Sequence, residues 1–415
     1  MIKRLKKTYH GWWISLAGGL NTAISSIPTF SGGSIIFKAI EDEFGWSRAI
    51  VSGVSSFGRF GGALLGPIEG FMTDRFGAWK MILIGFIIAS LGLFWLSFIN
   101  TIVFYYLSYL VVSIGVSIGG FVPSMSAVNV WMPHRRATAM SLVIGGSSFG
   151  GFFMPFMVLS IENYGWRITM VFIAIMFLIT GPLIAFIIRK KPDINIINKL
   201  ASNPKVIPNT DISAKKAIKT QPFWILAFSH LFANVSVGAL SAHIFMYMTD
   251  DNGVGLDIIT AGTILPFMAV LQFFGHISGG IIGDLFNKKI TLPIFFVIQA
   301  ISLIILAYAD TYTDVIFWSV LWGIGFGMRT STFHAFRGDF FGGKHYGTIL
   351  GFNALPMGIA MMLAPVVVGY LYDVYDSYFY SLIVMSGLCI ISSLLIIVIN
   401  NPKKYEKNYS SSNLA

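Results

Sequence analysis

Charge is scarce in this chain. Asp, Glu, Lys and Arg make up 11% of its 415 residues, against about 25% in soluble domains. A surface facing water cannot be built from so little charge, so reading this length as two or three soluble domains fails. Cysteine is nearly absent. Cys389 stands alone in an apolar run, which excludes an internal disulfide and leaves the redox compartment open. No H-E-x-x-H run occurs, and no group of carboxylates within the apolar stretches could hold a metal. No cofactor is expected. A Gly-x-Ser-x-Gly pattern at Gly115–Gly119 has no strand before it, so it lacks the setting of a hydrolase nucleophile. The chain is not expected to be an enzyme. The basic start leads into a run too long for a signal h-region, with no small-residue cleavage site, so no cleaved signal is expected.

Apolar runs are what the chain has in abundance. Hydrophobic residues make up 55% of it, and the mean hydropathy is +0.75. A membrane-spanning helix needs about 20 mostly apolar residues. Twelve such runs lie at about 11–37, 49–71, 81–99, 102–131, 138–160, 167–188, 222–248, 258–282, 290–309, 315–335, 347–371 and 378–400. With the N-terminus placed in the cytoplasm, 23 of the 28 Lys and Arg residues fall on the inner side and three on the outer. That bias puts both termini inside and requires an even number of spans. The net charge of +10 is therefore a topology signal, and no nucleic-acid partner is expected. The expected setting is the lipid bilayer of a cell (inner) membrane, with the protein a monomer. A polar stretch at 189–220 with eight basic residues separates an N-terminal six-helix bundle (1–188) from a C-terminal one (221–415).

The two halves repeat at a constant offset of 210 residues. Gly70, Asp74, Phe76 and Pro155 find Gly280, Asp284, Phe286 and Pro365 at the same spacing. Parallel halves of this kind mark the major facilitator architecture. The run Gly70-x-x-x-Asp74-Arg75-x-Gly77-x-x-Lys80 also resembles the signature loop of the major facilitator superfamily. Its glycines permit close helix approach, and its Asp can accept hydrogen bonds at a helix N-terminus. Arg75 is expected to bridge to a neighbouring helix end. Gly70, Asp74, Arg75, Gly77, Gly280 and Asp284 thus form an expected gating latch, with the second copy weakened by Asn287 in place of Gly77. Gly11-Trp12-Trp13-Ile14, Phe44-Gly45-Trp46-Ser47-Arg48, Gly66-Pro67-Ile68-Glu69-Gly70 and Tyr164-Gly165-Trp166-Arg167 resemble the monocarboxylate and oxalate/formate branch. That resemblance implies an all-α membrane protein of two pseudo-symmetric six-helix bundles, carrying a small carboxylate with a proton or in exchange. Where that branch places anion-pairing charges, this chain has Gln272, His276 and Asn353, which weakens the carboxylate assignment.

Charged and polar groups at membrane depth are costly and point to function. Arg329 lies eight residues, about 12 Å, before Arg337, which is counted here as a cytoplasmic residue. By the same count His276 and Asn353 share its depth. Arg329 is the first candidate to hold an anion, or else it snorkels to the interface. Arg59, mid-span, is the second. His230, Asn234, Gln272, Asn353 and Asn21 are candidate substrate-binding residues, and His276 and His230 candidate proton carriers. Asn129 is a weaker candidate. His243 is read as interfacial, and Trp12, Trp13, Trp46 and Trp166 as interfacial anchors. Gly145–Gly151 reads as a packing face. The expected substrate is a small organic anion, a monocarboxylate first of all, bound near the midplane. Another small polar metabolite (amino acid or nucleoside) or an exported drug is the alternative. No buried Asp or Glu in the first, fourth or fifth span argues against lipophilic cations.

Overall fold

A computed structural model describes residues 9–31, 33–189, 212–250 and 252–400. Among them the chain is helical, with no strand. α1 (His10–Ser26) opens into a wide turn at Ile27–Ser31, where Pro28 removes a backbone donor. α2 (Gly33–Phe44) and α3 (Arg48–Phe76) follow. Next come α4 (Ala78–Leu96), α5 (Ile102–Gly119), α6 (Phe121–Trp131) and α7 (Arg136–Phe149). α8 (Met154–Ile188) joins what the sequence divides into the end of one span and the whole of the next. The helix breaks at Gly165, whose φ of 80° suits glycine far better than other residues. α9 (Ala214–Ala217) is a single turn. α10 (Gln221–Thr249), α11 (Ile258–Leu285), α12 (Lys288–Ala307), α13 (Tyr312–Phe341), α14 (Tyr346–Tyr375) and α15 (Phe379–Val398) complete the order. The expected linker falls largely outside the described residues.

Eight stretches among the described residues are long and apolar enough to cross a membrane. One of them, Arg136–Ile188, runs 53 residues and holds two expected spans. α1 with α2, α3 and α13 supply the remaining passages. Pro67, Pro182, Pro266, Pro293, Pro356 and Pro365 sit inside helices. Membrane helices tolerate this because neighbours re-satisfy the freed carbonyls.

The chain divides into two compact units. The first comprises Met1–His134, Leu142–Pro204 and Gly343–Phe352. Within it α4 and α5 meet through Gly85, Ala89, Gly115 and Gly119, so a Cβ on Gly85 would strike the backbone of α5. Ser90 ties α4 to the Ala174 carbonyl of α8 at 2.8 Å. The Gly145–Gly151 run packs on α1, with Gly146 against Gly19 and Thr22 and Gly150 against Ser26. The second unit comprises Arg135–Ser141, Lys205–Gly342 and Asn353–Ala415. Here α11 and α13 meet through Gly275, Gly279 and Gly327, and α15 ties to α12 through Ser386 and Ser393.

Candidate anion site and paired helix caps

The chemistry of the second unit centres on α13. Arg329 is fully buried, and none of its three guanidinium nitrogens has a hydrogen-bond partner among the described residues. Its neighbours are rings: the guanidinium carbon lies 5.4 Å from the centroid of Phe296 and 5.3 Å from that of Phe326. A desolvated cation–π contact contributes about 2 kcal/mol. Removing an ion from water costs several kcal/mol even after relaxation. The rings alone do not close that gap.

Two turns along, Arg337 is buried to the same degree. α13 continues to Phe341, past the expected span end at residue 335, so Arg337 lies within the helix. Its guanidinium donates to Asn353 Oδ1 at 2.8 Å and faces Nδ1 of His334 at 3.1 Å and of His230 at 3.4 Å. A guanidinium only donates, so both imidazoles accept at Nδ1 and carry their proton on Nε2. His230 stacks on Phe333, with centroids 4.6 Å apart. Its place is thus that of a hydrogen-bond acceptor beside Arg337. Asn353 also donates to the Phe223 carbonyl at 3.1 Å, and Asn234 donates to the His230 carbonyl at 2.7 Å. Asn353 therefore pairs with Arg337.

His276 is buried, with Nδ1 3.1 Å from the Gly327 carbonyl and 3.4 Å from Ser331 Oγ. That carbonyl lies two residues before Arg329. Gln272 is half-buried on the same helix. The structure thus gathers His230, Asn234 and Asn353 with Arg337. The sequence reading missed Arg337 and His334.

In the first unit, the Asn21 amide donates to the Gly119 and Gly120 carbonyls and to Ser124 Oγ, all within 2.9 Å. Its donors pin α1 to the break between α5 and α6. Arg59 lies in α3, but its side chain is outside the described residues. Asn129 is buried on α6. Glu69 is buried on α3 and accepts from the Ser117 hydroxyl of α5. At the other end of α3, Trp166 donates to Glu43 at 2.6 Å, and Arg167 both pairs with Glu43 and donates to the Ile99 carbonyl at 3.0 Å. Trp166 is buried, which corrects its reading as an interfacial anchor. Glu43 lies past the end of the first expected span. The Arg167 hydrogen bond, with help from Trp166, holds its carboxyl below the usual range. His243 bonds the Pro365 carbonyl at 2.8 Å and Tyr378 at 3.2 Å, so it ties helices together in place of the interfacial role expected.

The Asp residues of the repeated motif cap helices. Asp74 accepts from the backbone N–H of Gly347 at 3.0 Å and of Thr348 at 2.7 Å, and from the Thr348 hydroxyl at 2.5 Å. Asp284 accepts from the N–H of Ala137 at 2.9 Å and of Thr138 at 2.8 Å. Each carboxylate sits where orphan donors and the helix dipole favour negative charge. The partners are related by the same 210 residues as the aspartates. A Cβ on Gly70 would strike the Gly347 carbonyl, and one on Gly280 would lie 2.5 Å from Ser141 Oγ. Gly77 ends α3 with φ 89° and donates to the Thr73 carbonyl. Arg75 is exposed and lies over the rings of Phe71 and Phe76, without the expected bridge among the described residues. The second cap has company: Asp339 pairs with Arg136 at 2.7 Å and with Lys288 at 3.1 Å.

The model of the Major Facilitator Superfamily matches residues 17–328 and 252–413. Monocarboxylate transporter 2 of Mesocricetus auratus is 25% identical over 393 residues, 88% of this chain and 77% of the relative. The hexuronate transporter of Bacillus subtilis (strain 168) is 21% identical over 380 residues, 88% of this chain and 89% of the relative. The crystal structure of the human organic anion transporter MFSD10 (TETRAN) has the same fold. It superposes with a TM-score of 0.71 at 11% identity, covering 93% of this chain and 99% of that one.

Proposed function

Because the chain belongs to the Major Facilitator Superfamily and is a multi-pass membrane transporter, not an enzyme, we propose that it is a secondary carrier of a small organic anion bearing one carboxylate. The observation that carries this reading is Arg329: a buried, permanently charged fork with no hydrogen-bond partner among the described residues. A carboxylate matches that fork with two parallel hydrogen bonds. The names of the relatives support the class. A monocarboxylate and a hexuronate share a single carboxylate on a small polar body.

Transport runs by alternating access, driven by proton symport or by exchange. Residues 1–188 and 221–415 act as the two transporting bodies, joined through 189–220. The Lys and Arg bias supports a cell membrane location with both termini in the cytoplasm. In this reading Arg329 meets the carboxylate, while Arg337, held by Asn353, His230 and His334, sets the field around it. His276 orients the Gly327 carbonyl next to the site. The caps of Asp74 and Asp284 form and release as access alternates.

The test is thermal stabilisation of the purified protein by lactate, pyruvate, glucuronate, oxalate, leucine and uridine. Binding to the folded state raises the midpoint by mass action, by about 2.7 kcal/mol of stability at 100 times Kd. The expected result is a rise with lactate, pyruvate or glucuronate that is lost in Arg329→Ala. A rise with leucine or uridine alone overturns the anion reading.

A further inference from the structure

We propose that Glu69, with Ser117, is the site of the transported proton; the inference rests on the carrier reading above and adds its coupling group. Glu69 is 3% exposed in the interior of the first unit. Its hydrogen-bond partner among the described residues is one hydroxyl, that of Ser117. A buried carboxylate that is to stay ionised usually has a cation or two to three N–H donors. Asp74, five residues on, has two N–H donors and a hydroxyl. Among the described residues Glu69 has neither arrangement. A hydroxyl both donates and accepts, so Ser117 can serve the carboxylate or, after rotation, accept from the carboxyl O–H. The pair is therefore at home in both protonation states, as a site that loads and unloads a proton must be.

The ionisable groups on the surrounding elements leave this pocket to Glu69. α6 carries none. Those of α2 (Lys38, Glu41, Asp42 and Glu43) lie beyond the far end of α3. The phenols of α5 near that end, Tyr105 and Tyr106, donate to the carbonyls of Val51 and Ile50, and the Tyr109 ring lies tilted against Phe37. Lys80 of α4 lies over the Trp79 ring. Lys344 and His345 belong to the segment that Asp74 caps. On α3 itself, Asp74 is the cap and Arg75 is exposed, while the side chains of Arg48 and Arg59 lie outside the described residues.

The repeat shows that the fold does not need this carboxylate. At the offset of 210 residues, Glu69 and Ser117 correspond to Gly279 and Gly327. Those glycines let α11 and α13 close on each other, so that a Cβ on Gly279 would strike the backbone of Met328. The second unit builds its cap over glycine. The first places a carboxyl and a hydroxyl in the same position. Glu69 also adjoins Gly70, against which Gly347 lies. Residues 343–352 thus cover the part of α3 that holds it. Releasing the Asp74 cap uncovers Glu69, so proton exchange with water is tied to the latch.

The deciding experiment combines infrared titration and transport on the full-length protein. Acidification of the wild type is expected to produce a carbonyl band of a protonated carboxyl that is absent in Glu69→Gln and returns, shifted, in Glu69→Asp. In proteoliposomes, an inward proton gradient is expected to drive lactate accumulation by the wild type but not by Glu69→Gln, and Ser117→Ala should shift the pH at which the band appears. Gel filtration and an unchanged melting midpoint establish that Glu69→Gln is folded. If it is not, Ser117→Ala carries the test. A band that survives Glu69→Gln, or gradient-driven accumulation that survives it, overturns the proposal. So does a band position unmoved by Ser117→Ala. If the wild type carries no lactate or glucuronate, the anion reading fails separately, and the infrared titration still decides whether Glu69 takes the proton.

Discussion

The two units share their caps and differ in nearly everything polar between them. Asp74 with Gly347 and Thr348 has its counterpart in Asp284 with Ala137 and Thr138, residue for residue at 210. Arg329 and Arg337 have Gly119 and Ala127 at the matching places, His230 has Leu20, and Glu69 has Gly279. What is duplicated is the means of holding helices together and letting them go. Among the described residues, the buried Arg329 and Arg337 belong to the second unit and the buried Glu69 to the first. A carrier needs a repeated gate but only one place to hold its cargo.

The largest effect on this contrast is expected from Arg329→Ala. An interfacial charge pair contributes about 2–5 kcal/mol, so anion affinity should fall roughly 30-fold to several-thousand-fold. Binding of lactate or glucuronate by calorimetry checks this. The same substitution should leave the melting midpoint of the empty protein unchanged or higher, because it removes an uncompensated charge. Next in size are the caps. Asp74→Asn and Asp284→Asn should each cost about 1–2 kcal/mol of local stability, read as faster amide exchange at 347–351 and at 137–141 respectively. The loss should be larger at Asp74, which also holds the Thr348 hydroxyl. Equal losses would remove the distinction between the caps. Asp339→Asn should cost the second cap less, about 0–1 kcal/mol, and the effect should vanish at high salt.

The smallest effect is expected at the Glu43–Arg167 pair. The Glu43 carboxyl is held below its ordinary value of 4.5, chiefly by Arg167. A lowered folded-state value stabilises above the unfolded value and is lost as pH falls through the folded one. Glu43→Gln should therefore lower the melting midpoint slightly at pH 7, and the difference should shrink as the pH falls below 4.5. The pair is 33% and 40% exposed, so screening keeps the difference small.

Much of this was legible in the sequence for physical reasons. Passages through lipid need unbroken apolar runs, and Lys and Arg sort by side, so the topology is written in composition. A repeated Asp at fixed spacing exposed the caps before any geometry was known. Arg329 stood out as one charge in an apolar run. Arg337 did not, because it stands beside Gly338 and Asp339 and looks like the start of a loop. Phe336, Phe340 and Phe341, which keep an apolar face running through that stretch, were the signal that the helix goes on. Glu69 was hidden by the motif around it. Trp166 and Arg167 looked interfacial because they follow a turn, whereas Gly165 folds that turn back so that both reach Glu43. The role of the Arg75 side chain depended on which partner came within reach, and spacing does not fix that.

The bare guanidinium of Arg329 also bears on how fast the carrier can turn over. If Arg329 holds the cargo as proposed, every cycle of net uptake includes a return trip made with this charge uncompensated. An outgoing anion travelling in place of nothing would spare the protein that step. Swapping one anion for another across the bilayer should therefore outpace one-way filling, and anion preloaded on the far side should speed entry from the near side.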